Sequence, residues 1–132
     1  MKVWVNGTFD VVHIGHIKLL EFANSFGSVT VGLDTDERVR TKKGESRPFN
    51  LLVDRMRFIS SIRFVDDVVS FGTDDELINQ IKIFNPDVMV IGSEYRNKQI
   101  IGLEHVSRIE FFEKIDGYSS SKILTYENNS NR

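Results

Sequence analysis

Val3 to Ala23 reads VWVNGTFDVVHIGHIKLLEFA, and this stretch decides the fold. Its first residues, Val3–Val5, form a short apolar strand that runs into the turn signal Asn6-Gly7. From Ile14 onward the apolar residues fit one face of a helix. A strand, a turn and a helix in this order are the first part of a βαβ unit.

The rest of the chain repeats this alternation. Strands are predicted at SVTVGLD (Ser28 to Asp34), DDVVSF, DVMVIG and RIEFFEK. Helices are predicted in LLVDRMRFISSIRFV with Asn50 as N-cap, in DDELINQIKIFN before Pro86, and in SSSKILTYE. TDERVRTKKGESRPFN is predicted to be a long polar loop. The pattern predicts an α/β fold: a Rossmann-like doubly wound sheet of about five parallel strands with helices on both faces.

Composition limits the classes of function. The 132 residues suit one domain, expected over 1–126, with a polar tail over 127–132 that we expect to fray. A net charge of -2 gives no basic field for a nucleic acid partner. No cysteine is present, and no apolar run reaches the ~20 residues that a membrane span needs. We therefore expect a cytoplasmic domain without a membrane partner.

Ligands of such sheets bind beyond the carboxyl ends of the strands. The opening stretch, the basic segment RTKKGES, the segment IGSEY and the segment GYSSSK all follow predicted strands. We expect these four segments to meet at one edge of the sheet.

His13 and His16 are two of only three histidines in the chain, and they bracket Ile14-Gly15 where the first helix begins. The backbone N–H groups and the dipole of a helix N-terminus attract anions. Gly15 leaves room for a ligand near the backbone, and Gly7 offers further N–H donors after the first strand. This arrangement suits phosphoryl or nucleotidyl transfer, in which charge builds on phosphate oxygens.

Two other interpretations of the histidines compete with this one. A histidine pair spaced by three residues can bind a metal, but cysteine is absent and Asp10 is the one carboxylate expected nearby, so a zinc site is disfavoured. The histidines are otherwise ordinary capping or surface residues. Their position between strand and helix favours a functional role, and no metal ligands are predicted.

GTFDVVHIGH resembles the phosphate-binding signature of the cytidylyltransferase-like nucleotidyltransferases. The His-x-Gly-His core alone is weak, since class I aminoacyl-tRNA synthetases share it, but the resemblance continues along the chain. RTKKGESRPFNLLVDRM, FVDDVVSF, PDVMVIGSEY, IIGLEHV and GYSSSKI are similar to successive segments of heptose-phosphate adenylyltransferases. The family's Lys-Gly-Gly-Asp-Tyr is here Ile91-Gly92-Ser93-Glu94-Tyr95, and its Ser-Thr-Thr is Ser119-Ser120-Ser121.

The resemblance implies a reaction. An acceptor phosphate oxygen attacks the α-phosphorus of a nucleoside triphosphate, and pyrophosphate leaves. The expected substrates are ATP and a sugar phosphate such as a heptose 1-phosphate. Mg²⁺ is expected as a cofactor, held mostly by phosphates and water. The family is often dimeric, so a homodimer is a further expectation.

The resemblance also implies roles for individual residues. His13 and His16 would bind triphosphate oxygens, and Lys43, Arg47 and Arg55 would bind phosphate, with His13, His16, Lys43 and Arg55 as the catalytic set. Lys42 is left open. The alternative for the loop cations is a solvated charge run, and for Arg55 it is an internal salt bridge with Asp54, Asp66 or Asp67. The predicted nucleotide-binding residues are Gly7, Thr8, Phe9, Asp10, Gly15, Gly92, Ser93, Glu94, Tyr95, Ser119, Ser120 and Ser121.

For some of these residues a second interpretation fits the sequence equally well. Asp10 is either an orienting partner for nearby groups or a turn residue, and Tyr95 is either a wall of the base pocket or a packing residue. One of the three serines is expected as an N-cap. At the level of function, a cytidylyltransferase that uses CTP and glycerol 3-phosphate is the alternative within the class. A nucleotide-binding module without turnover is the alternative outside it.

Overall fold

The computed structural model describes residues 1–113, which form five strands and four α-helices. The strands are β1 (Lys2–Gly7), β2 (Ser28–Asp34), β3 (Asp67–Phe71), β4 (Val88–Gly92) and β5 (Arg108–Phe112). The helices are α1 (Ile14–Asn24), α2 (Asp36–Lys43), α3 (Leu52–Ser60) and α4 (Asp74–Phe84). All five predicted strands are confirmed. The predicted last helix and the tail 127–132 lie outside the described residues.

The sheet is parallel throughout, in the order β3-β2-β1-β4-β5. The chain moves outward from β1 to β3 and then returns through α4 to place β4 on the other side of β1. The strand order therefore reverses between β1 and β4, which is where such sheets bind ligands. The predicted Rossmann-like fold class is confirmed.

Helices cover both faces of the sheet. On one face, α1 and α3 bury a core of aliphatic side chains from β1, β2 and β4, with Leu20 and Ile59 as helix residues at its centre. On the other face, α4 packs Leu77 and Ile81 against Trp4 and Met89. Burial on both faces explains why the central strands read as continuous apolar runs. No helix within residues 1–113 is long and apolar enough to cross a membrane.

The prediction of a long loop after β2 is wrong, because the first half of that segment is α2. Thr35 caps the helix by accepting a hydrogen bond from the backbone N–H of Arg38. Acidic residues fill its first turn and basic residues its last, which suits the helix dipole. Gly44 ends it with φ 101°, a conformation that favours glycine. The low hydrophobicity of the segment concealed these end signals.

The prediction that Asn50 caps α3 is also wrong. The N-cap is Leu51, whose side chain makes no capping bond. Asp36 of α2 supplies the acceptor instead, at 2.8 Å from the backbone nitrogen of Leu52. Asn50 is engaged elsewhere, since its side-chain amide donates to the carbonyl oxygen of Asp10.

We expect Gly32→Ala to destabilise the sheet, because an added Cβ would lie 2.6 Å from Cζ2 of Trp4. Overpacking of this kind costs about 1–3 kcal/mol of the free energy of unfolding. Urea denaturation measures that loss. In the background of Trp4→Phe, which removes the obstructing ring, the same substitution should cost less. Strictly additive effects of the two substitutions would contradict this account of the contact.

Candidate active site

A cleft of about 600 Å³ opens at the carboxyl edge of the sheet, over the point where the strand order reverses. Most of the residues predicted for the site line it. They are Gly7, Thr8, Phe9, Asp10, His13, Gly15, His16, Lys43, Arg47, Gly92, Glu94 and Tyr95. Ser93 and Arg55 do not line it, and Ser119, Ser120 and Ser121 lie outside the described residues.

The two histidines form the cap of α1. His13 is the N-cap, and its Nδ1 accepts a hydrogen bond from the backbone N–H of Gly15 at 3.0 Å. Nδ1 of His16 accepts one in return from the backbone N–H of His13 at 3.2 Å. This is a reciprocal capping box in which imidazoles replace the usual hydroxyl and carboxylate. The predicted positions, just before the helix and in its first turn, are confirmed.

The capping bonds fix the chemistry of both rings. The imidazoles stack with centroids 3.9 Å apart and planes inclined by 27°. An Nδ1 that accepts a hydrogen bond carries no proton, so in each neutral ring the proton is on Nε2. Each neutral histidine therefore carries its one N–H donor at Nε2.

Phe9 shapes the turn that joins β1 to the histidines. Its φ is 49°, an unusual conformation for a bulky residue, and its side chain is buried against the ring of His16 at a centroid distance of 4.9 Å. A Cβ at Gly7 would lie 3.1 Å from the ring of Phe9, so glycine allows this close approach. The turn thus supports the imidazole from behind.

Asp10 holds the chain segment that precedes α3. Its carboxylate accepts hydrogen bonds from Nε of Arg47 at 2.8 Å and from the backbone N–H groups of Phe49 and Asn50 at 2.7 Å each. Burial alone would raise the pKa of Asp10, but these bonds outweigh burial and hold the pKa below its ordinary value. Asp10 therefore orients nearby backbone groups, which is one of the two roles predicted for it.

Positive charge surrounds the mouth of the cleft. Lys42 and Lys43 end α2, and both line the cleft with Arg47 and Arg38. Partial burial lowers the pKa of Lys43, and the positive charge of Arg47 lowers it further. A bound phosphate would oppose both effects. The cluster is placed to receive an anion.

Arg55 is not brought to the cleft. It is fully buried, and its guanidinium donates to the carbonyl oxygens of Asn50 and Thr8 and to Oδ1 of Asp36, at 2.8 to 3.0 Å. The structure thus places Arg55 in an internal salt bridge, with Asp36 as its partner in place of Asp54, Asp66 or Asp67. The prediction that Arg55 is a catalytic residue that binds phosphate is therefore corrected, because every nitrogen of its guanidinium already donates a hydrogen bond to protein.

The far wall of the cleft follows β4. Gly92 ends the strand, and a short 3₁₀ helix over Ser93–Tyr95 presents Glu94 and Tyr95. Burial raises the pKa of Tyr95, and the carboxylates of Glu94 and Asp34 raise it further, so the phenol keeps its proton at neutral pH. Its hydroxyl can donate a hydrogen bond.

Sequence reasoning missed several residues that line the cleft. Asn6 and Asp34 lie at the ends of β1 and β2, where the rule for parallel sheets could have found them. Arg38 was hidden because α2 was taken for a loop. Gln99, Ile100 and Ile101 follow the 3₁₀ helix and carry no recognisable signal. Within residues 1–113 no group of three or more His, Cys, Asp or Glu is placed to hold a metal ion.

Comparison with known proteins identifies relatives. Residues 4–125 match the family model described as cytidylyltransferase-like. The bifunctional protein HldE of Campylobacter jejuni subsp. jejuni is 43% identical over 123 residues, which cover 92% of this chain and 26% of that protein. HldE of Sulfurimonas denitrificans is 41% identical with the same coverage of both proteins. The chain thus spans about a quarter of the length of the curated relatives it matches.

Solved structures share the fold. The crystal structure of a lipopolysaccharide core biosynthesis protein from Thermoplasma volcanium superimposes with a TM-score of 0.72 at 24% identity, covering 88% of this chain and 98% of that one. A protein of unknown function from Archaeoglobus fulgidus gives a TM-score of 0.61 at 21% identity, covering 87% and 90%. At these identities the likeness concerns the fold.

We expect Asp10→Asn to lower the free energy of unfolding by about 1–3 kcal/mol at neutral pH, because it removes a charged acceptor from three donors. The lowered pKa sets the sign of the pH dependence. The stabilisation by Asp10 is fully present above its ordinary pKa of 3.8 and is lost as pH falls through its lower folded-state value. Urea denaturation of both proteins across this range measures the difference.

Asp75→Asn is the matched control, since Asp75 is an exposed carboxylate on α4. It should change the free energy of unfolding by less than about 0.5 kcal/mol. An Asp10 variant that behaves like this control at neutral pH would show that the three hydrogen bonds do not stabilise the fold.

Proposed function

The chain belongs to the cytidylyltransferase-like family of nucleotidyltransferases, and from that premise we propose that it moves a nucleoside monophosphate from ATP to the phosphate of a sugar phosphate such as a heptose 1-phosphate. The single observation that carries the proposal is the histidine cap of α1, which lies in the cleft at the reversal of strand order. The positive end of the α1 dipole and the Nε2 groups of the two histidines meet there, and both favour an anion.

The proposed reaction needs no protein nucleophile. An oxygen of the acceptor phosphate forms a bond to the α-phosphorus, while the bond from that phosphorus to the bridging oxygen breaks. The electron pair leaves with pyrophosphate. The protein then contributes alignment of the two substrates and stabilisation of charge on the transferred phosphorus and the leaving group.

His13 and His16 are proposed to donate from Nε2 to triphosphate oxygens. Their rings are held by backbone hydrogen bonds and by each other, so little reorganisation is needed when charge develops. Lys43, with Lys42 and Arg47, is proposed to neutralise phosphate at the mouth of the cleft. The salt bridge to Asp10 holds Arg47, so its positive charge has a fixed position at the cleft.

The remaining roles follow the shape of the cleft. Gly92, Glu94 and Tyr95 are proposed to form the wall of the base pocket. Mg²⁺, when bound, would neutralise the departing pyrophosphate, and most of its ligands would be phosphate oxygens and water. Arg55 acts behind the site, where its bond to the carbonyl oxygen of Thr8 supports the turn. The homodimer and the cytoplasmic location stay predictions.

ATP is preferred to CTP because Arg47-Pro48-Phe49-Asn50 and Gly117-Tyr118-Ser119 match the heptose enzymes better. A screen of ATP, CTP, GTP and UTP against heptose 1-phosphate, hexose 1-phosphates and glycerol 3-phosphate tests this preference through pyrophosphate release. We expect release with ATP and a sugar 1-phosphate. Release with CTP and glycerol 3-phosphate alone would replace the adenylyl assignment with the cytidylyl one.

Calorimetric binding measurements distinguish an active nucleotidyltransferase from a module that binds nucleotide without turnover. Triphosphate binding together with no pyrophosphate release from any acceptor would favour such a module. The absence of all nucleotide binding would contradict both.

We expect His16→Ala to lower kcat about 10²- to 10³-fold while changing the dissociation constant of ATP much less, because the lost donor acts mainly on charge that develops during transfer. Steady-state kinetics and calorimetry give the two quantities. Part of the capping box is lost as well, so thermal unfolding is recorded to confirm that the variant is folded at the assay temperature.

His105→Ala is the matched control, because His105 lies outside the cleft, in the segment before β5. It should leave both kcat and ATP affinity unchanged. If His16→Ala reduced turnover and ATP affinity equally, His16 would merely shape the ground-state pocket.

A further inference from the structure

Two polar side chains, Asn6 and Asp34, lie on neighbouring strands at the sheet face that α4 covers. In the ladder between β1 and β2, Trp4 pairs with Thr30 and Asn6 with Gly32. Because alternate residues share a face, Asn6 follows Trp4 on that face, and Asp34 follows Gly32. Both Asn6 and Asp34 line the cleft at the ends of their strands.

The carboxylate of Asp34 accepts no hydrogen bond from the described residues, and its oxygens keep access to the cleft. Asp34 is 9% exposed, and its closest charged partner is Nε of Arg38 at 3.6 Å, beyond hydrogen-bond range. No side-chain hydrogen bond joins its carboxylate to any other residue of the described range 1–113. Asp34 can therefore accept hydrogen bonds from a ligand, whereas Asp10, in the same cleft, already accepts three hydrogen bonds from protein.

Arg38 forms an ion pair with Asp34, and its guanidinium is also engaged by two other groups. Its Nη2 binds Oδ1 of Asp74 at 2.7 Å, and its guanidinium lies 5.1 Å from the ring centroid of Phe71. Its Nε has no hydrogen-bond partner within the described part of the chain. Arg38 thus compensates the charge of Asp34 but leaves its oxygens open to the cleft.

Asn6 supplies a complementary donor. Its Oδ1 accepts the indole N–H of Trp4 at 2.9 Å. An indole nitrogen only donates, so this bond fixes which end of the amide is oxygen. The amide nitrogen of Asn6 therefore remains as a donor on a residue that lines the cleft.

We propose that Asp34 and Asn6 bind hydroxyl groups of the acceptor, with Asp34 accepting a hydrogen bond from a sugar hydroxyl and Asn6 donating one to a hydroxyl oxygen. This inference rests on the proposed function. A hydroxyl is both donor and acceptor, so it satisfies such a pair, whereas a phosphate oxygen would be repelled by the carboxylate. The pair lies on the α4 face of the sheet, and the histidine cap belongs to α1 on the other face.

Calorimetry on Asp34→Ala tests the proposal, with EDTA present so that no metal ion can contribute. We expect the dissociation constant of heptose 1-phosphate to rise about 10- to 100-fold, the range for losing a hydrogen bond to a charged group. Methyl phosphate carries the same charged group without hydroxyls. Its affinity should be unchanged or higher, because a negative charge has been removed. ATP affinity should be unchanged.

Asp75→Ala is the matched control, since Asp75 is an exposed carboxylate on α4 that does not line the cleft. It should change heptose 1-phosphate affinity by less than about twofold. Asp34→Asn preserves the shape of the side chain and should give a smaller loss in the same direction. This second variant keeps the test valid if the alanine variant folds poorly.

Several results would overturn the proposal. Equal weakening of heptose 1-phosphate and methyl phosphate would indicate a general electrostatic effect. Weakening of ATP alone would assign the pair to the ribose of the nucleotide. Unchanged heptose 1-phosphate affinity, or no binding of it to the unaltered protein, would also exclude the proposed role.

Pyrophosphate release by the unaltered protein distinguishes failure of this inference from failure of the proposed function. Release with ATP and heptose 1-phosphate, combined with unchanged affinity in the Asp34 variants, would leave the proposed function standing and remove only the hydroxyl-binding pair.

Discussion

The turn between β1 and α1 depends on two buried charged side chains that tie it to the segment before α3. Asp10 reaches from the turn to the backbone of Phe49 and Asn50, and Arg55 reaches back from α3 to the carbonyl oxygen of Thr8. Each side chain satisfies backbone groups that no strand or helix could satisfy. Asp10 is paired with Arg47, and Arg55 with Asp36, so both buried charges are compensated. Together the two side chains hold the turn against the segment before α3.

That constraint explains how a site for highly charged substrates is built on a chain with a net charge of -2. The cations at the mouth of the cleft come from α2 and the following segment, and Arg55 fixes α2 through Asp36. The same Asp36 oxygen caps α3 by accepting the N–H of Leu52. One carboxylate thus joins the helix that carries Lys43 to the helix that anchors the turn. The positive charge at the cleft therefore comes from a few cations that the fold holds in place, and the chain as a whole carries no excess of positive charge.

The sequence predicted the parts of the site that depend on local signals. His13 and His16 could be placed because a strand, a turn and a helix start are all visible within Val3–Ala23. Parallel pairing and the doubly wound class followed from the alternation of elements. The end signals of α2, Thr35 and Gly44, were also present, but the polar composition between them favoured a loop.

Other features depend on contacts that a single sequence does not display. The helical spacing placed Arg55 at the border of the buried stripe, but its partner, Asp36, lies 19 residues earlier and on another helix. Asp34 looks like any acid at the end of a strand. Its proposed role depends on the hydrogen bonds that its carboxylate does not make within the protein, and only the packing of Arg38 against Asp74 and Phe71 reveals these.

The capping bonds also limit what the histidines can do. A doubly protonated imidazole has no acceptor on Nδ1, so charging His13 would break its bond from Gly15, and charging His16 would break its bond from His13. The positive end of the α1 dipole opposes an added positive charge at the same place. These capping bonds can form only with neutral rings, and a neutral ring that accepts at Nδ1 donates from Nε2. In the proposed reaction, these histidines stabilise charge by donating hydrogen bonds without giving up a proton, and the positive charge is left to the lysines and arginines on the other elements.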